Sequence, residues 1–410
     1  MLEKDLLNVK KAQKELELLS NDKRDLMLER IANALKENEK IILKANEKDI
    51  LAAKENGLSN AMIERLTLNE ARIDSLVEST KSLISLHNYV GELIEKIERP
   101  NGLIIDKIMV PFGVIAVIFE SRPNVSVDIA GLCIKTANAC VLKGGKEAIN
   151  TNKALVNIMR NAIKDIVNPD VIYLIESTDR SVTNELITLK NYIDLLIPRG
   201  SKGLINYVVS NAKIPYIETG AGNCHLYVEK EADLDMAIKI AINAKYQRPS
   251  VCNAIENILV DEEIADKFLP RLYEEFKKLN IEMRGCEKTL KYINVNKATE
   301  EDFYTEYNDY IVAIKVVKDI NEAINHINTH STKHSEAIIT NNKEKADLFM
   351  ALIDSACCYH NASTRFTDGG CFGFGAEIGI STQKLHARGP MGLKEIMSYK
   401  YKIYGNGEVR

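Results

Sequence analysis

The sequence has little excess charge of either sign and no long apolar run. Its 410 residues contain 54 lysines and arginines against 58 acidic residues, which leaves a formal net charge of -4. A chain with this balance has no large basic field to hold a polyanion, so nucleic acid is not expected as a partner. No run of about eighteen apolar residues occurs, and no membrane partner is expected either.

A secretory leader and a disulfide framework are also missing. The residues that follow Met1 do not place a cationic segment before an apolar one, so we expect a cytosolic, cytoplasmic protein. Eight cysteines form no compact CxxC pattern, which is typical of reduced thiols. They are Cys133, Cys140, Cys224, Cys252, Cys286, Cys357, Cys358 and Cys371.

The length and the apolar content are those of a globular protein with more than one core. Hydrophobic residues make up 45% of the chain and charged residues 27%. A chain of this length exceeds one ordinary core, so two or three domains are expected.

The periodicity of apolar residues changes along the chain. Residues 1 to about 90 have helical spacing and predict a helical layer, and the turn at Arg99-Pro-Asn-Gly102 predicts a hairpin over about residues 92–110. From Val114 to Asn211, apolar strands alternate with helices, which predicts a parallel sheet with a nucleotide site at the carboxyl ends of its strands. A second α/β unit is expected after the glycines of 217–223, and alternation over Ser398–Tyr404 predicts an edge strand.

Two turns follow strands of the first predicted sheet. Residues 143–146 (Lys-Gly-Gly-Lys) and 199–203 (Arg-Gly-Ser-Lys-Gly) combine glycines with cations, a combination that lets backbone amides and side chains approach phosphate. Neither matches GxGxxG or GxxxxGK[ST], and each alone is more typical of an ordinary turn. Together they favour a dinucleotide that carries an extra phosphate.

Cys252 is the candidate nucleophile. It follows the polar turn Arg248-Pro-Ser250 and precedes the apolar run Ile255–Val260, so we expect it on a loop braced by a buried strand. A nearby cation such as Arg248 would lower its thiol pKa. From this segment alone, a small buried core cysteine remains the commoner interpretation.

A long polar loop is predicted over 355–370. Its Asn361, Ser363, Thr364 and Arg365 are better explained by ligand contact than by packing. Histidines at 326, 330 and 334 have a spacing that invites a metal interpretation, but the polar residues between them make a helix interior doubtful and no further ligand has matching spacing. No metal is expected, and Cys357 and Cys358 are expected to be structural.

Six stretches, in family order between about 110 and 395, resemble the aldehyde dehydrogenase superfamily, and more closely its phosphorylating branch, the gamma-glutamyl phosphate reductases (glutamate-5-semialdehyde dehydrogenases). They are residues 110–124, 141–147, 217–225, 247–253, 361–368 and 375–392. The resemblance implies an aldehyde-dehydrogenase-like α/β fold, with a Rossmann-type parallel-sheet cofactor domain, an α/β catalytic domain and a small β element for oligomerisation.

Domain boundaries are expected from this resemblance. The N-terminal helices and the dinucleotide-binding domain are expected over 1–224 and the catalytic domain over 225–355. A return to the cofactor domain with the substrate loop is expected over 356–395, and an oligomerisation strand over 396–410. The hairpin of 92–110 could also reach a partner subunit, so we expect a homodimer.

The resemblance implies reduction of L-glutamyl 5-phosphate by NADPH, a step of proline biosynthesis, with Cys252 as the catalytic cysteine that forms a thioester. The backbone amide of Cys252 would be one donor to the developing oxyanion. The second donor depends on the register taken against the superfamily. Asn124 is favoured for that role and Arg122 for binding an anion.

Cofactor and substrate residues follow from the same resemblance. Lys143 falls at the position that binds the adenosine ribose, and Lys146 stands where NAD-preferring relatives carry a glutamate, so NADP(H) is predicted. Glu218 resembles the carboxylate that activates water in hydrolytic members, and its role here stays open. The other expected cofactor residues are Gly144, Arg199, Gly200 and Ser201. Expected substrate residues are Arg122, Arg248, Ser250, Asn361, Ser363, Thr364 and Arg365.

Two alternatives remain at this stage. The first is a hydrolytic aldehyde dehydrogenase that releases a free acid. The second is a non-catalytic nucleotide-binding or scaffold protein in which Cys252 merely packs. The resemblance also leaves open a transient contact with glutamate 5-kinase, the enzyme that makes the small-molecule acyl phosphate substrate.

Overall fold

The computed structural model describes residues 2–410, apart from the side chains of residues 60, 61 and 202. The chain forms two compact units. The first contains Met1–Thr219, Gly373–Ile378 and Met391–Arg410, and the second contains Gly220–Phe372 and Gly379–Pro390. The expected boundary at residue 224 and the expected return over 356–395 therefore differ from these divisions, because residues 220–224, 356–372 and 379–390 pack within the second unit.

Five helices open the first unit, in the region where the spacing of apolar residues predicts a helical layer. They are α1 (Leu2–Glu17), α2 (Asn21–Glu37), α3 (Glu39–Glu55), α4 (Asn60–Leu66) and α5 (Glu70–Ser85). The side chain of Ser20 accepts a hydrogen bond from the Lys23 amide and caps the start of α2. Met27, Ile31 and Leu35 recur at helical spacing and are buried, as expected for the core face of an amphipathic helix.

The predicted hairpin is confirmed. It consists of β1 (Leu93–Glu98) and β2 (Ile104–Pro111), which pair antiparallel around the turn at 99–102. The Gly102 amide donates to the Arg99 carbonyl oxygen at 2.9 Å, and Gly102 has a φ of +98°, a conformation that favours glycine.

A four-stranded parallel sheet forms the centre of the first unit. Its strands are β3 (Val114–Phe119), β4 (Ala139–Gly144), β5 (Ile172–Leu174) and β6 (Leu195–Arg199), in the order β5-β4-β3-β6. The helices that follow them are α6 (Asn124–Lys135), α7 (Ile149–Ile163), α8 (Arg180–Leu186) and α9 (Lys202–Asn211). All pairings are parallel, so the carboxyl ends of β3, β4 and β6 lie at one edge of the sheet.

A seven-stranded parallel sheet forms the centre of the second unit. Its strands are β7 (Cys224–Val228), β8 (Ile255–Asp261), β9 (Glu282–Gly285), β10 (Asn296–Lys297), β11 (Ile311–Val317), β12 (Ser335–Ile339) and β13 (Cys357–His360). The helices are α10 (Leu234–Tyr246), α11 (Ala265–Lys278), α12 (Ile320–His330) and α13 (Lys343–Leu352). The strand order is β10-β9-β11-β8-β7-β12-β13, and every residue of β8 is buried. The predicted α/β class with parallel sheets is therefore confirmed.

One local prediction is largely confirmed and one is wrong. Asn328 and Thr329 lie within α12, but the helix ends at His330 and Ser331 is its C-cap, so no unbroken helix reaches His334. The polar loop predicted from residue 355 contains β13, which pairs only with β12 at the edge of the sheet. An edge strand is half covered and tolerates polar residues, which is why its sequence is typical of a loop.

Three short or terminal strands complete the chain. They are β14 (Ile380–Ser381), β15 (Gly389–Pro390) and β16 (Met397–Tyr404). Strand β16 pairs antiparallel with β2 and forms the edge of the three-stranded sheet β1-β2-β16, which confirms the predicted C-terminal edge strand.

Candidate active site

Cys252 lies in a turn directly before β8. The Ala254 amide donates to the Val251 carbonyl oxygen at 3.0 Å, which closes the turn, and Cys252 is half-buried. The buried strand that follows fixes one end of the turn. The prediction of a cysteine on a loop braced by a strand is confirmed.

Gly222, before β7, and Cys224, the first residue of β7, both contact the backbone of Cys252. The Cys224 thiol donates to the Cys252 carbonyl oxygen at 3.1 Å, and Cys224 is fully buried. A Cβ atom on Gly222 would lie 1.5 Å from the same carbonyl oxygen, so only glycine fits at position 222. The backbone of the turn therefore rests directly on another segment of backbone.

Asn253 links this turn to the loop after β13. Its Oδ1 accepts a hydrogen bond from Arg365 Nη1, and its Nδ2 donates to the Thr367 carbonyl oxygen at 2.8 Å. In return, the Thr364 hydroxyl donates to the Asn253 carbonyl oxygen at 2.7 Å. These bonds bring the candidate nucleophile and the predicted substrate loop together, and the sequence analysis did not single out Asn253.

The guanidinium group of Arg365 interacts electrostatically with both Arg248 and Cys252. Burial lowers the pKa of Arg365, the positive charge of Arg248 lowers it further, and the negative charge available at Cys252 opposes the shift. Arg248 is exposed and Ser250 is half-buried in the same turn-forming segment. This part of the second unit is cationic and suits an anionic ligand.

Three other predicted substrate residues hold the loop in shape. Asn361 binds the backbone of Thr340 through both atoms of its amide, at 3.0 Å each. The Ser363 hydroxyl accepts a hydrogen bond from the Arg365 amide at 3.3 Å, and Thr364 is fully buried. Direct contact of these residues with a substrate stays a prediction.

The end of β4 contains a buried lysine, and the turn after it contains an exposed one. Lys143 is buried, its Nζ donates to the Gly144 carbonyl oxygen at 3.2 Å, and burial lowers its pKa while Glu147 and Asp179 oppose the shift. Lys146 is exposed and begins a short 3-10 helix, Lys146–Ala148.

Gly144 in this turn packs closely on α7. A Cβ atom on Gly144 would lie 2.3 Å from Asn152 Nδ2. The Asn152 side chain would therefore have to move to accept a larger residue at position 144.

Carboxylates accompany both glycine turns of the first sheet. Glu120 accepts a hydrogen bond from the Ser201 amide at 2.7 Å, and the Ser201 hydroxyl caps α9 by accepting from the Leu204 amide. Glu147 accepts from both the amide and the hydroxyl of Ser121, at 2.6 and 2.9 Å. A Cβ atom on Gly200 would lie 2.5 Å from the Glu120 carboxylate. The side chain of Lys202 lies outside the described residues.

These turns occupy the position that a dinucleotide site requires. Strands β4 and β6 flank β3, so the turn that contains Lys143 and the turn that contains Arg199 and Ser201 lie at the same edge of the sheet. Glycines without room for a Cβ and the amino terminus of α9 are features that let phosphate approach backbone amides. The residues present therefore fit a pyridine nucleotide.

Asn124 and Asp128 lie one turn apart on α6. Asn124 Nδ2 donates to Asp128 Oδ2 at 3.0 Å. Burial raises the pKa of the Asp128 carboxyl to about 6, which the Asn124 hydrogen bond and the charge of Arg199 counteract. Arg122 precedes the helix and is exposed. The amide of Asn124 is thus held in one orientation.

Glu218 lies beside β6 in the first unit. The Ile217 amide donates to the Leu196 carbonyl oxygen at 3.0 Å, and the Thr219 hydroxyl donates to that of Pro198 at 2.7 Å. Glu218 is half-buried between these two anchors. These two hydrogen bonds fix the backbone of Glu218 beside β6.

The three histidines whose spacing invited a metal interpretation make other contacts. The rings of His326 and His330 are stacked at 3.9 Å, and His330 Nε2 lies 2.8 Å from Glu300. His334 is fully buried beside Ser335, and burial lowers its pKa to about 4. Within residues 2–410 no cluster of three or more His, Cys, Asp or Glu side chains has the arrangement of a metal site.

The aldehyde dehydrogenase family model matches residues 3–307 of the chain. A gamma-glutamyl phosphate reductase of Dictyoglomus thermophilum is 52% identical over 397 residues, which cover 96% of this chain and 96% of that protein. The crystal structure of gamma-glutamyl phosphate reductase from Thermotoga maritima is 47% identical, covers 100% of this chain and 99% of that chain, and superposes with a TM-score of 0.98.

The chain belongs to the gamma-glutamyl phosphate reductase family.

Membership of the gamma-glutamyl phosphate reductase family places the chain among the oxidoreductases of the aldehyde dehydrogenase family. An engineered glycolyl-CoA reductase with bound NADP+ has the same fold, at a TM-score of 0.69 and 16% identity over 98% of this chain and 96% of that chain. Among residues 2–410 no helix is long and apolar enough to cross a membrane.

Proposed function

We propose that this protein reduces L-glutamyl 5-phosphate to L-glutamate 5-semialdehyde and phosphate with NADPH, in proline biosynthesis, through a thioester on Cys252. The observation that carries the proposal is a partly exposed thiol in a braced turn, with the Arg365 guanidinium near it, in a chain of the gamma-glutamyl phosphate reductase family. A thiolate is a strong nucleophile at neutral pH, and a cationic environment raises the fraction that is ionised.

The chemistry assigned to Cys252 balances in two stages. Its thiolate forms a bond to the acyl carbon while the bond from that carbon to the phosphate oxygen breaks, which leaves a thioester and free phosphate. NADPH, when bound, supplies a hydride to the thioester carbonyl. The carbon–sulfur bond then breaks, the aldehyde leaves and the Cys252 thiolate is restored.

Both stages place negative charge on the carbonyl oxygen. The backbone amide of Cys252 is the first donor that we assign to this oxyanion, and Asn124 is the second. Asn124 Nδ2 carries two hydrogens, and its bond to Asp128 uses only one of them. Arg122 is assigned to anion binding instead. Loss of one such donor typically lowers the rate on the order of 100-fold.

The cofactor is assigned to the edge of the first sheet. Lys143 and Gly144 would contact the adenosine ribose, and Lys146 would bind the 2'-phosphate that distinguishes NADP from NAD. The turn with Arg199, Gly200 and Ser201 is assigned to the pyrophosphate, because it ends at the amino terminus of α9. Glu218 is assigned to the same site without a chemical role.

Arginines are assigned to the anionic groups of the substrate. Arg248 and Arg365 suit the acyl phosphate or the α-carboxylate, because a guanidinium group binds either one bidentately. Ser250 lies in the same segment as Arg248 and can donate a hydrogen bond. The loop residues Asn361, Ser363 and Thr364 are assigned to the same substrate site, and the Ser363 hydroxyl accepts a hydrogen bond from the Arg365 amide.

A homodimer in the cytoplasm is also proposed. Tyr399, Tyr401 and Ile403 alternate along β16 and are all exposed on one face of the sheet β1-β2-β16, and such an apolar row is typical of an interface. A transient contact with glutamate 5-kinase would protect the reactive acyl phosphate from water.

A phosphate requirement tests the proposed function. The enzyme should oxidise glutamate 5-semialdehyde with NADP+ only when phosphate is present, because phosphate must accept the acyl group from Cys252. Formation of NADPH at 340 nm, with and without phosphate, measures this. Phosphate-independent oxidation would indicate a hydrolytic aldehyde dehydrogenase instead.

Replacement of Cys252 tests the nucleophile. Cys252→Ser should retain the fold and lose nearly all activity, on the order of 10⁴-fold, because an unactivated hydroxyl does not displace phosphate. Circular dichroism and the melting temperature check the fold, and steady-state rates check activity. An active Cys252→Ser enzyme would mean that the thiol only packs.

A further inference from the structure

A buried ion pair joins the two ends of the segment that contains Cys252. Lys245 lies in the last turn of α10, and Glu256 is the second residue of β8. Lys245 Nζ and Glu256 Oε2 are 2.6 Å apart, and both side chains are 0% exposed. The residues between them, 246–255, include Arg248, Ser250 and Cys252.

The two charges of this pair are costly to bury. Burial lowers the pKa of Lys245 and raises the pKa of Glu256, and in each case the charge of the partner opposes the shift. The neighbouring Ala244 and Ile255 belong to an apolar core cluster. In such surroundings, apolar side chains of similar volume often give equal or greater stability than a buried ion pair.

The ion pair fixes the distance between the end of α10 and the start of β8. A short bond between charged groups has a narrow range of lengths and angles. The middle of the segment has its own attachments, from Cys224 to the Cys252 carbonyl and from Asn253 to Thr367. The ion pair attaches the ends, where the segment leaves α10 and enters β8.

We propose that Lys245 and Glu256 are positioning residues for the reaction, because their ion pair sets the separation of the ends of segment 246–255 and so the location of the Cys252 thiol. The proposal rests on the proposed role of Cys252 as nucleophile. A displacement of about 1 Å at a reacting group can lower a rate about 100-fold.

The test compares stability with turnover in a double variant. Lys245→Met together with Glu256→Leu removes both charges and leaves none unpaired, so its melting temperature should stay within about 5 °C of the parent value. Its kcat should fall about 10- to 100-fold. Alkylation of Cys252 by iodoacetamide, followed on its peptide by mass spectrometry, should slow several-fold, which a purely structural pair would not cause.

A second variant tests the same proposal if the double variant does not fold. Glu256→Asp keeps both charges but shortens the reach by one methylene, and its kcat should fall at least five-fold or so. The matched control removes the exposed pair Lys230–Glu263, which is 2.8 Å apart, by Lys230→Gln with Glu263→Gln. The control should change neither kcat nor the alkylation rate.

The outcomes separate this proposal from the proposed function. A folded double variant, or a Glu256→Asp variant, with kcat within two-fold of the parent would overturn the positioning role. If Cys252→Ser is inactive in the same assays, the nucleophile assignment survives that result. Full activity of Cys252→Ser would instead contradict both the proposed function and the positioning role of the ion pair.

Discussion

At the scale of single residues, the environment of Cys252 differs from that of the other cysteine close to it. Cys224 is fully buried, and burial and nearby negative charge raise the pKa of its thiol. Cys252 is partly exposed and lies near Arg248 and Arg365. A thiol reagent should therefore modify Cys252 and leave Cys224 unmodified in the folded enzyme.

Lys146 should decide between the two pyridine nucleotides. In Lys146→Glu, the KM for NADPH should rise about 10- to 100-fold with little change for NADH, since only NADPH carries the phosphate that a cation would bind. Initial rates with both cofactors measure this ratio. Lys153→Glu, at an exposed lysine paired with Glu176 on the same unit, is the control and should leave the ratio unchanged. Equal effects on both cofactors would contradict the assignment.

Asp128 should make stability depend on pH. Its folded-state pKa of about 6 lies above the ordinary value of 3.8. The folded state therefore keeps the proton to higher pH than the unfolded state, and the resulting stabilisation is lost as the pH rises from about 4 to about 6. In Asp128→Asn the side chain does not titrate, so this loss of stability with rising pH should be absent.

Melting temperatures of the parent and Asp128→Asn between pH 4 and 7 check this expectation. The variant should gain stability relative to the parent as the pH rises to about 6, and the difference should then stay constant. A difference that does not vary with pH would show that the carboxyl of Asp128 titrates normally.

At the scale of elements, close backbone contacts set the location of the Cys252 turn. The turn rests against the residues before β7, and the missing side chain of Gly222 makes room for it. The attachments through Asn253 then place Arg365 beside it. The site in the second unit therefore depends on contacts among the Cys252 turn, the residues before β7 and the loop after β13.

Gly222→Ala should move this turn. Its new Cβ would lie 1.5 Å from the Cys252 carbonyl oxygen, and a contact between backbone atoms cannot be relieved by a rotamer change. We expect kcat to fall about 100-fold or more and the free energy of unfolding to fall by about 1–3 kcal/mol. Urea titration and steady-state kinetics measure the two effects.

Gly203→Ala is the matched control for that change. Gly203 lies in α9, and the nearest atom to its added Cβ is 3.9 Å away. In a helix this replacement should raise the free energy of unfolding by about 0.5–1 kcal/mol. A similar loss of stability in both variants would show that the contact at Gly222 has no special effect.

At the scale of the whole molecule, the exposed face of the sheet β1-β2-β16 is the proposed dimer surface. Ile403→Glu places a charge on the face of β16 that also carries Tyr399 and Tyr401, both of them half exposed. Sedimentation velocity should show a shift from dimer to monomer. Leu18→Glu changes an 87% exposed leucine outside this sheet and should have no effect. A parent enzyme that is monomeric would refute the proposed dimer.

Local sequence patterns predicted most of the elements and both glycine turns. Helical spacing, alternation and turn residues act over a few neighbouring positions, so the spacing in the first unit and around β8 was sufficient to locate Cys252 directly before a buried strand. The resemblance of six motifs identified the family and assigned the catalytic role to Cys252. Strand β13 was missed because edge strands tolerate polar side chains.

Only the tertiary structure decided which residues surround that cysteine. Gly222 and Cys224 meet it across about 30 positions of sequence, and Asn253 meets Arg365 and Thr367 across more than 110. Such contacts depend on the order of strands in the sheet, which places β7 beside β8 and the loop after β13 near both. The spacing of apolar residues determines which segments become strands, but the order of the strands depends on long-range packing that no local pattern encodes.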